Sequence, residues 1–159
     1  MHVSNRVQKT LDAARVPYQV CEHRLAYTAQ EVAAAQHVRG KDLAKCVILK
    51  AGNRFAMAVL PASYHVDLDR LRRATGAEEG AEVRLAHEEE FTSLFPDSEA
   101  GAMAPFGNLY DMSVYIDRVL EEDEEIVFNA GTHTQTIRMN YLDYKRVVNP
   151  VVVEFASKG

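Results

Sequence analysis

Two apolar runs, Lys45–Lys50 and Phe55–Leu60, are separated only by Ala51-Gly52-Asn53-Arg54. Gly-Asn between such runs suits a two-residue hairpin, so the pair predicts adjacent antiparallel strands at the centre of a sheet. Helical patterns on both sides of this hairpin put helices around that sheet. The chain has 159 residues, 47% of them apolar. Surface scaling for a chain this long hides roughly two-thirds of its area, enough for one core and too little for two. One domain over residues 1–159 is expected.

Composition removes several classes. The longest apolar run, Phe55–Ala62, is too short for a membrane helix. Residues 1–20 hold no uninterrupted apolar stretch, so no signal peptide is expected. Cys21 and Cys46 form no CxxC pair and no disulfide framework, which points to a reducing cytoplasm. The formal net charge of −5 argues against tracking along duplex DNA, though not against gripping one small piece of RNA. No HExxH or HxxxH pairing suggests zinc, and no GxSxG or Walker loop is present.

Along the chain, Ser4–Val16 reads as a helix with Val7, Leu11 and Ala14 on one face, stopped by Pro17. Tyr18–Glu22 is a strand candidate. Thr28-Ala-Gln-Glu31 fits a capping box opening a helix through His37 to about Gly40. Asp67 caps a helix through Arg73, with Gly76 as its stop; Val83–Leu85 suits a strand and His87–Leu94 a short helix. Phe95–Leu109 carries Pro96, Gly101, Pro105 and Gly107 without a usable period, and long loops of this kind lean towards function. Ser113–Asp117, Ile126–Phe128 and Thr134–Met139 read as strands, Glu121–Glu125 as an acidic turn, and Tyr141–Val148 as a last helix before Pro150. The class is mixed α/β around a largely antiparallel sheet.

Three places carry candidate chemistry. Alternation puts Lys45 on the same strand face as Leu43, Val47 and Leu49, where an ammonium needs a partner or water. It either meets a substrate phosphate, hydroxyl or carbonyl, or snorkels past the rim. Gly101-Ala-Met-Ala-Pro105-Phe106-Gly107 either presents backbone N–H groups to a ligand or is an ordinary connection. Asn129-Ala-Gly131-Thr132-His133 either converges on a pocket, with His133 as an orienter, or simply turns between strands. Cys46 points to the strand face opposite Lys45 and reads as core rather than nucleophile.

Taken in order, Thr28-Ala-Gln-Glu-Val, Lys45-Cys-Val-Ile-Leu, Gly101-Ala-Met-Ala-Pro105, Val114-Tyr-Ile-Asp117 and Asn129-Ala-Gly-Thr-His133 resemble the YbaK / prolyl-tRNA-synthetase-associated family of aminoacyl-tRNA deacylases. The likeness spans about Leu11 to Ala156.

That resemblance implies a curled, mostly antiparallel sheet or partial barrel with flanking helices. It implies hydrolysis of the ester joining a wrong, small amino acid to the terminal adenosine of a tRNA, often proline tRNA. Lys45 matches the lysine that would anchor the adenosine's phosphate or ribose. Gly101 matches the GxxxP glycine whose N–H would hold the carbonyl oxygen. Tyr27, Thr28, Pro105, Phe106, Gly107, Asn129, Gly131, Thr132 and His133 are the implied substrate-binding residues. Neither cofactor nor metal is implied. The implied partners are the aminoacyl 3′ end and acceptor stem of a mischarged tRNA, and a prolyl-tRNA synthetase. The alternative is a non-catalytic module of the same fold that binds tRNA ends, aminoacyl groups or a protein.

Overall fold

The hairpin expected from the two apolar runs forms the middle of the sheet. In the computed structural model, which describes residues 5–26, 43–75 and 82–158, strand β2 (Leu43–Ala51) pairs antiparallel with β3 (Arg54–Pro61). Ala51 faces Arg54 across the turn, and Gly52 takes φ +60 while Asn53 stays at negative φ. A positive φ at the first central position alone is the II′ pattern, whose twist matches that of the strands.

Helix α1 (Asn5–Ala13) buries Val7 and Leu11. It ends earlier than its apolar spacing suggests because Arg15 enters the left-handed region at φ +58. The N–H of Val16 then bonds to Leu11 O and that of Arg15 to Asp12 O, a Schellman closure that also brings Val16 onto the core beside Leu11. Strand β1 (Tyr18–Glu22) follows. The capping box at Thr28 and the helix from it lie outside the described residues, as do Tyr27 and Gly76.

The remaining elements are β4 (Tyr64–Val66), α2 (Leu68–Ala74), β5 (Val83–Leu85), α3 (Glu88–Phe91), β6 (Ser113–Asp117), β7 (Glu125–Asn129), β8 (Gln135–Asn140), α4 (Tyr141–Val148), β9 (Val151–Val153) and β10 (Ala156–Lys158). Asp67 caps α2 through the Arg70 N–H, as its position predicts. The expected helix over 87–94 is α3 continued by a 3₁₀ turn, Thr92–Leu94. Asp117 starts a 3₁₀ turn over Arg118–Glu122, so the acidic run begins inside a turn of helix.

The sheet runs β1-β8-β7-β2-β3-β6-β9, with β5 also on β2 and a separate β10-β4 ribbon. Pairs β2/β7, β3/β6 and β6/β9 are parallel and the others antiparallel. The large mixed sheet with flanking helices is the fold class expected. One face carries the main core: Ala44, Ile48, Ile126, Phe128 and Ile137, packed with α1, α4 and the 103–106 segment. On the opposite face Leu49, Ala58, Leu60, Leu71 and Phe155 form one cluster, and Ala26, Leu43, Ala62 and Val127 a smaller one. The last of these borders the candidate site.

Candidate functional site

The site begins with strand register. Leu43 pairs with Val127 and Ala44 with Phe128 in parallel, which brings Lys45 level with Asn129. Asn129 pairs with Thr136, and Thr136 with Cys21. Paired residues share a face, and Leu43 and Val127 lie away from the main core. Lys45, Asn129, Thr136 and Cys21 therefore form a row across β2, β7, β8 and β1, all on that second face.

The row is polar where a buried face should not be. Lys45 is half-buried and pairs with no carboxylate among the described residues; desolvation holds its ammonium below the ordinary lysine value of 10.5. Asn129 Oδ1 and Thr136 Oγ1 are buried without a hydrogen-bond partner among the described residues, and Thr136 is 0% exposed. Native proteins pair nearly all such atoms, so two adjacent exceptions make this place a candidate ligand site.

One step further along the sheet, two turns are joined. Gly131 N–H donates to Ala102 O at 2.9 Å, and Glu99 N–H to Gly131 O at 2.8 Å. His133 N–H donates to Glu99 Oε1, and its ring Nε2 lies 2.8 Å from Ala100 O. A carbonyl only accepts, so that nitrogen carries the proton. Gly101 sits exposed at the tip with φ +81, and Gly131 has φ +97. The N–H of Gly101 makes no backbone hydrogen bond among the described residues, leaving it available as a donor. Thr132 is buried and bonds Gln135 Oε1 at 3.2 Å, which stabilises the turn from inside.

Not every residue the motifs single out reaches this face. Phe106 is fully buried between Phe128 and Tyr144, with ring centroids 5.5 Å from each. Pro105 O accepts from Tyr144 Oη at 2.6 Å. A Cβ on Gly107 would stand 3.0 Å from Val114 Cγ2 and 3.2 Å from Met57 Cβ. These three residues are thus placed in the main core, where they pack and fix the path of the loop. Cys46 also faces that side; its Sγ donates to Met103 O at 3.4 Å, and burial pushes its thiol far up. A thiol kept protonated is a poor nucleophile. Tyr27 and Thr28 lie outside the described residues.

His23 escaped the sequence reading. Its N–H donates to Thr134 O, and its Nδ1 lies 2.6 Å from Arg24 O, so Nδ1 holds the proton. Nε2 is then a bare lone pair, buried without a partner. Alternation from Cys21 puts this ring on the face of the row. A lone histidine in a loop gives no periodic signal; only the tertiary bonds reveal it. Among the described residues no three His, Cys, Asp or Glu side chains group as a metal site.

The aminoacyl-tRNA editing domain family matches residues 23–147, most of the chain. This chain belongs to that family. The resemblance read from the ordered motifs is therefore correct, and the editing domain contains both turns and the whole row except Cys21. Across 130 residues the chain is 28% identical to the multifunctional Ser/Thr-tRNA deacylase ProXp-y of Escherichia coli K12, covering 77% of this chain and 75% of that protein. The crystal structure of hypothetical protein APE2540 superposes with TM-score 0.84 at 17% identity, covering 96% of this chain and all of the other. A candidate trans-editing enzyme for prolyl tRNA synthetase superposes with TM-score 0.80 at 20% identity, covering 96% and 95%. These structural likenesses establish the editing-domain fold. Among the described residues, no helix is long and apolar enough to cross a membrane.

Proposed function

We propose that this protein, as one domain over residues 1–159, hydrolyses the ester that joins a small, wrongly attached amino acid to the 3′ adenosine of a tRNA. Proline tRNA is the acceptor, and the setting is the cytoplasm, with prolyl-tRNA synthetase as a functional partner. The observation that carries this reading is the half-buried Lys45 ammonium, which has no carboxylate partner among the described residues and lies on a face that also holds polar atoms unpartnered among them. A substrate phosphate or ribose oxygen would supply the missing partner. The similarity to a Ser/Thr-tRNA deacylase supports ester hydrolysis on charged tRNA and adds serine and threonine to the amino acids worth testing.

The chemistry needs no side-chain nucleophile. Water adds to the ester carbonyl, and the charge that develops on the carbonyl oxygen is held by the Gly101 N–H. The substrate's vicinal ribose hydroxyl positions that water. The bond to the ribose oxygen then breaks, this oxygen takes up one proton of the water, and the amino acid leaves as its carboxylic acid, which gives its remaining proton to solvent. The net charge of −5 is tolerable because contact centres on one RNA end rather than a long backbone.

The test is deacylation of proline tRNA charged with alanine, cysteine, serine or threonine, and of prolyl-tRNA, by wild type and Lys45→Ala. Selective release of a wrong amino acid that depends on Lys45 is expected. Binding of the RNA without release from any substrate would replace this reading with a non-catalytic module.

A further inference from the structure

We infer that Asn129 and Thr136 form a hydroxyl-reading pair that decides which amino acid is removed. The inference rests on the editing reading above and deepens it.

The two residues are register partners on adjacent strands, so their side chains leave the sheet side by side. Asn129 Oδ1 can only accept a hydrogen bond. Thr136 Oγ1 can donate one. Both atoms are buried and neither has a partner. An apolar group between them leaves both unpaired, and each unpaired buried polar atom weighs against folding and binding alike. A hydroxyl satisfies both at once: its proton goes to Asn129 Oδ1 while its oxygen accepts from Thr136. Serine and threonine bring such a group. Alanine brings none, and the thiol of cysteine bonds weakly.

Position agrees with chemistry. Lys45 stands level with Asn129 on the neighbouring strand, so a nucleotide held by its ammonium would deliver the attached amino acid along the same row. Gly131 lies two residues beyond Asn129 and is bonded to the turn that presents Gly101. The row thus runs from nucleotide anchor to side-chain reader, with the donor for the carbonyl oxygen at its edge.

A site that reserves buried groups for a substrate hydroxyl discriminates far better than one that measures a methylene. The test uses one proline tRNA charged in turn with serine, threonine and alanine, with kcat/KM for wild type, Thr136→Val, Thr136→Ser and Asn129→Leu. Wild type is expected to favour serine over alanine by about 10⁴-fold. Thr136→Val should lose that preference, its serine rate falling toward its alanine rate, and Thr136→Ser should retain it. Valine matches threonine in shape and removes an unpaired hydroxyl, so its Tm should be no lower than wild type. The ratio of rates within one preparation is insensitive to the folded fraction. Equal wild-type rates on serine and alanine, or an undiminished preference in Thr136→Val, would overturn the inference while leaving editing intact. Release of no amino acid at all would overturn the editing reading and this inference together.

Discussion

The His133 ring donates from Nε2 to Ala100 O across 2.8 Å, and this bond joins the turn after β7 to the turn that presents Gly101. Two further backbone bonds, through Glu99 and Gly131, run beside it. The proposed oxyanion donor is therefore braced by a neighbouring turn as well as by the Ala102 N–H to Glu99 O bond of its own loop. His133→Ala should leave the sheet intact, loosen residues 99–102 and lower kcat by about tenfold, less than the roughly 10²–10³-fold cost of losing an oxyanion donor outright. Faster amide exchange at Gly101 and Ala102, read by NMR, checks the cause.

Gly101 holds φ +81, where an L side chain costs roughly 1–2 kcal/mol. An added Cβ would lie 3.6 Å from His133 Cε1, an ordinary contact, so backbone strain is the penalty rather than a clash. Gly101→Ala should relax the turn and turn its N–H away from the carbonyl oxygen. A fall in kcat of about 10²–10³-fold with little change in KM is expected in single-turnover deacylation. Wild-type kinetics would remove this N–H from the reaction.

Desolvation lowers the pKa of Lys45. The unfolded chain, with its pKa near 10.5, then binds more protons than the folded one as pH rises between the two values. Stability contributed by this site therefore increases with pH across that window. Selective ¹³C labelling should show Lys45 titrating below 10.5 in the free protein. An acceptor-stem RNA should raise that value, because a phosphate favours the ammonium. Lys45→Ala should fold normally and lose most turnover.

Asp117 is 2% exposed and accepts three backbone N–H groups: Val119 at 3.0 Å through Oδ1, and Phe155 at 2.9 Å and Ala156 at 2.8 Å through Oδ2. Asp117→Asn replaces one acceptor oxygen with a donor facing other donors. A loss of about 2–4 kcal/mol in urea denaturation is expected. Turnover per folded molecule should hold, which separates this motif residue from the site.

Local chemistry in the sequence was enough to find the hairpin, the Asp67 cap and the face on which Lys45 lies, since each depends on neighbours within a few residues. The parallel pairing of β2 with β7 had no such signal, because its partners are about eighty residues apart. Strands β4, β9 and β10 are three residues each, a length at which alternation gives little signal, though the equally short β5 was read. The motif around Gly101 was found as a unit, yet its residues divide: Gly101 is exposed at the tip, while Phe106 and Gly107 are buried in the main core. Contiguity in sequence said nothing about that division. Alternation along β8 puts Thr136 on the face opposite Ile137, but only the folded sheet shows that its hydroxyl lacks a partner among the described residues.

The crossing from β2 to β7 also sets an order of events during synthesis. Lys45 reaches its hairpin as soon as β3 has left the ribosome, whereas Asn129 and Thr136 follow Lys45 by about eighty to ninety residues. A nascent chain therefore carries the proposed nucleotide anchor long before the proposed amino-acid reader is made. On the proposed roles, competence to deacylate is acquired only once β7 and β8 have joined the hairpin, and a product truncated before β7 would retain the lysine without the means to discriminate.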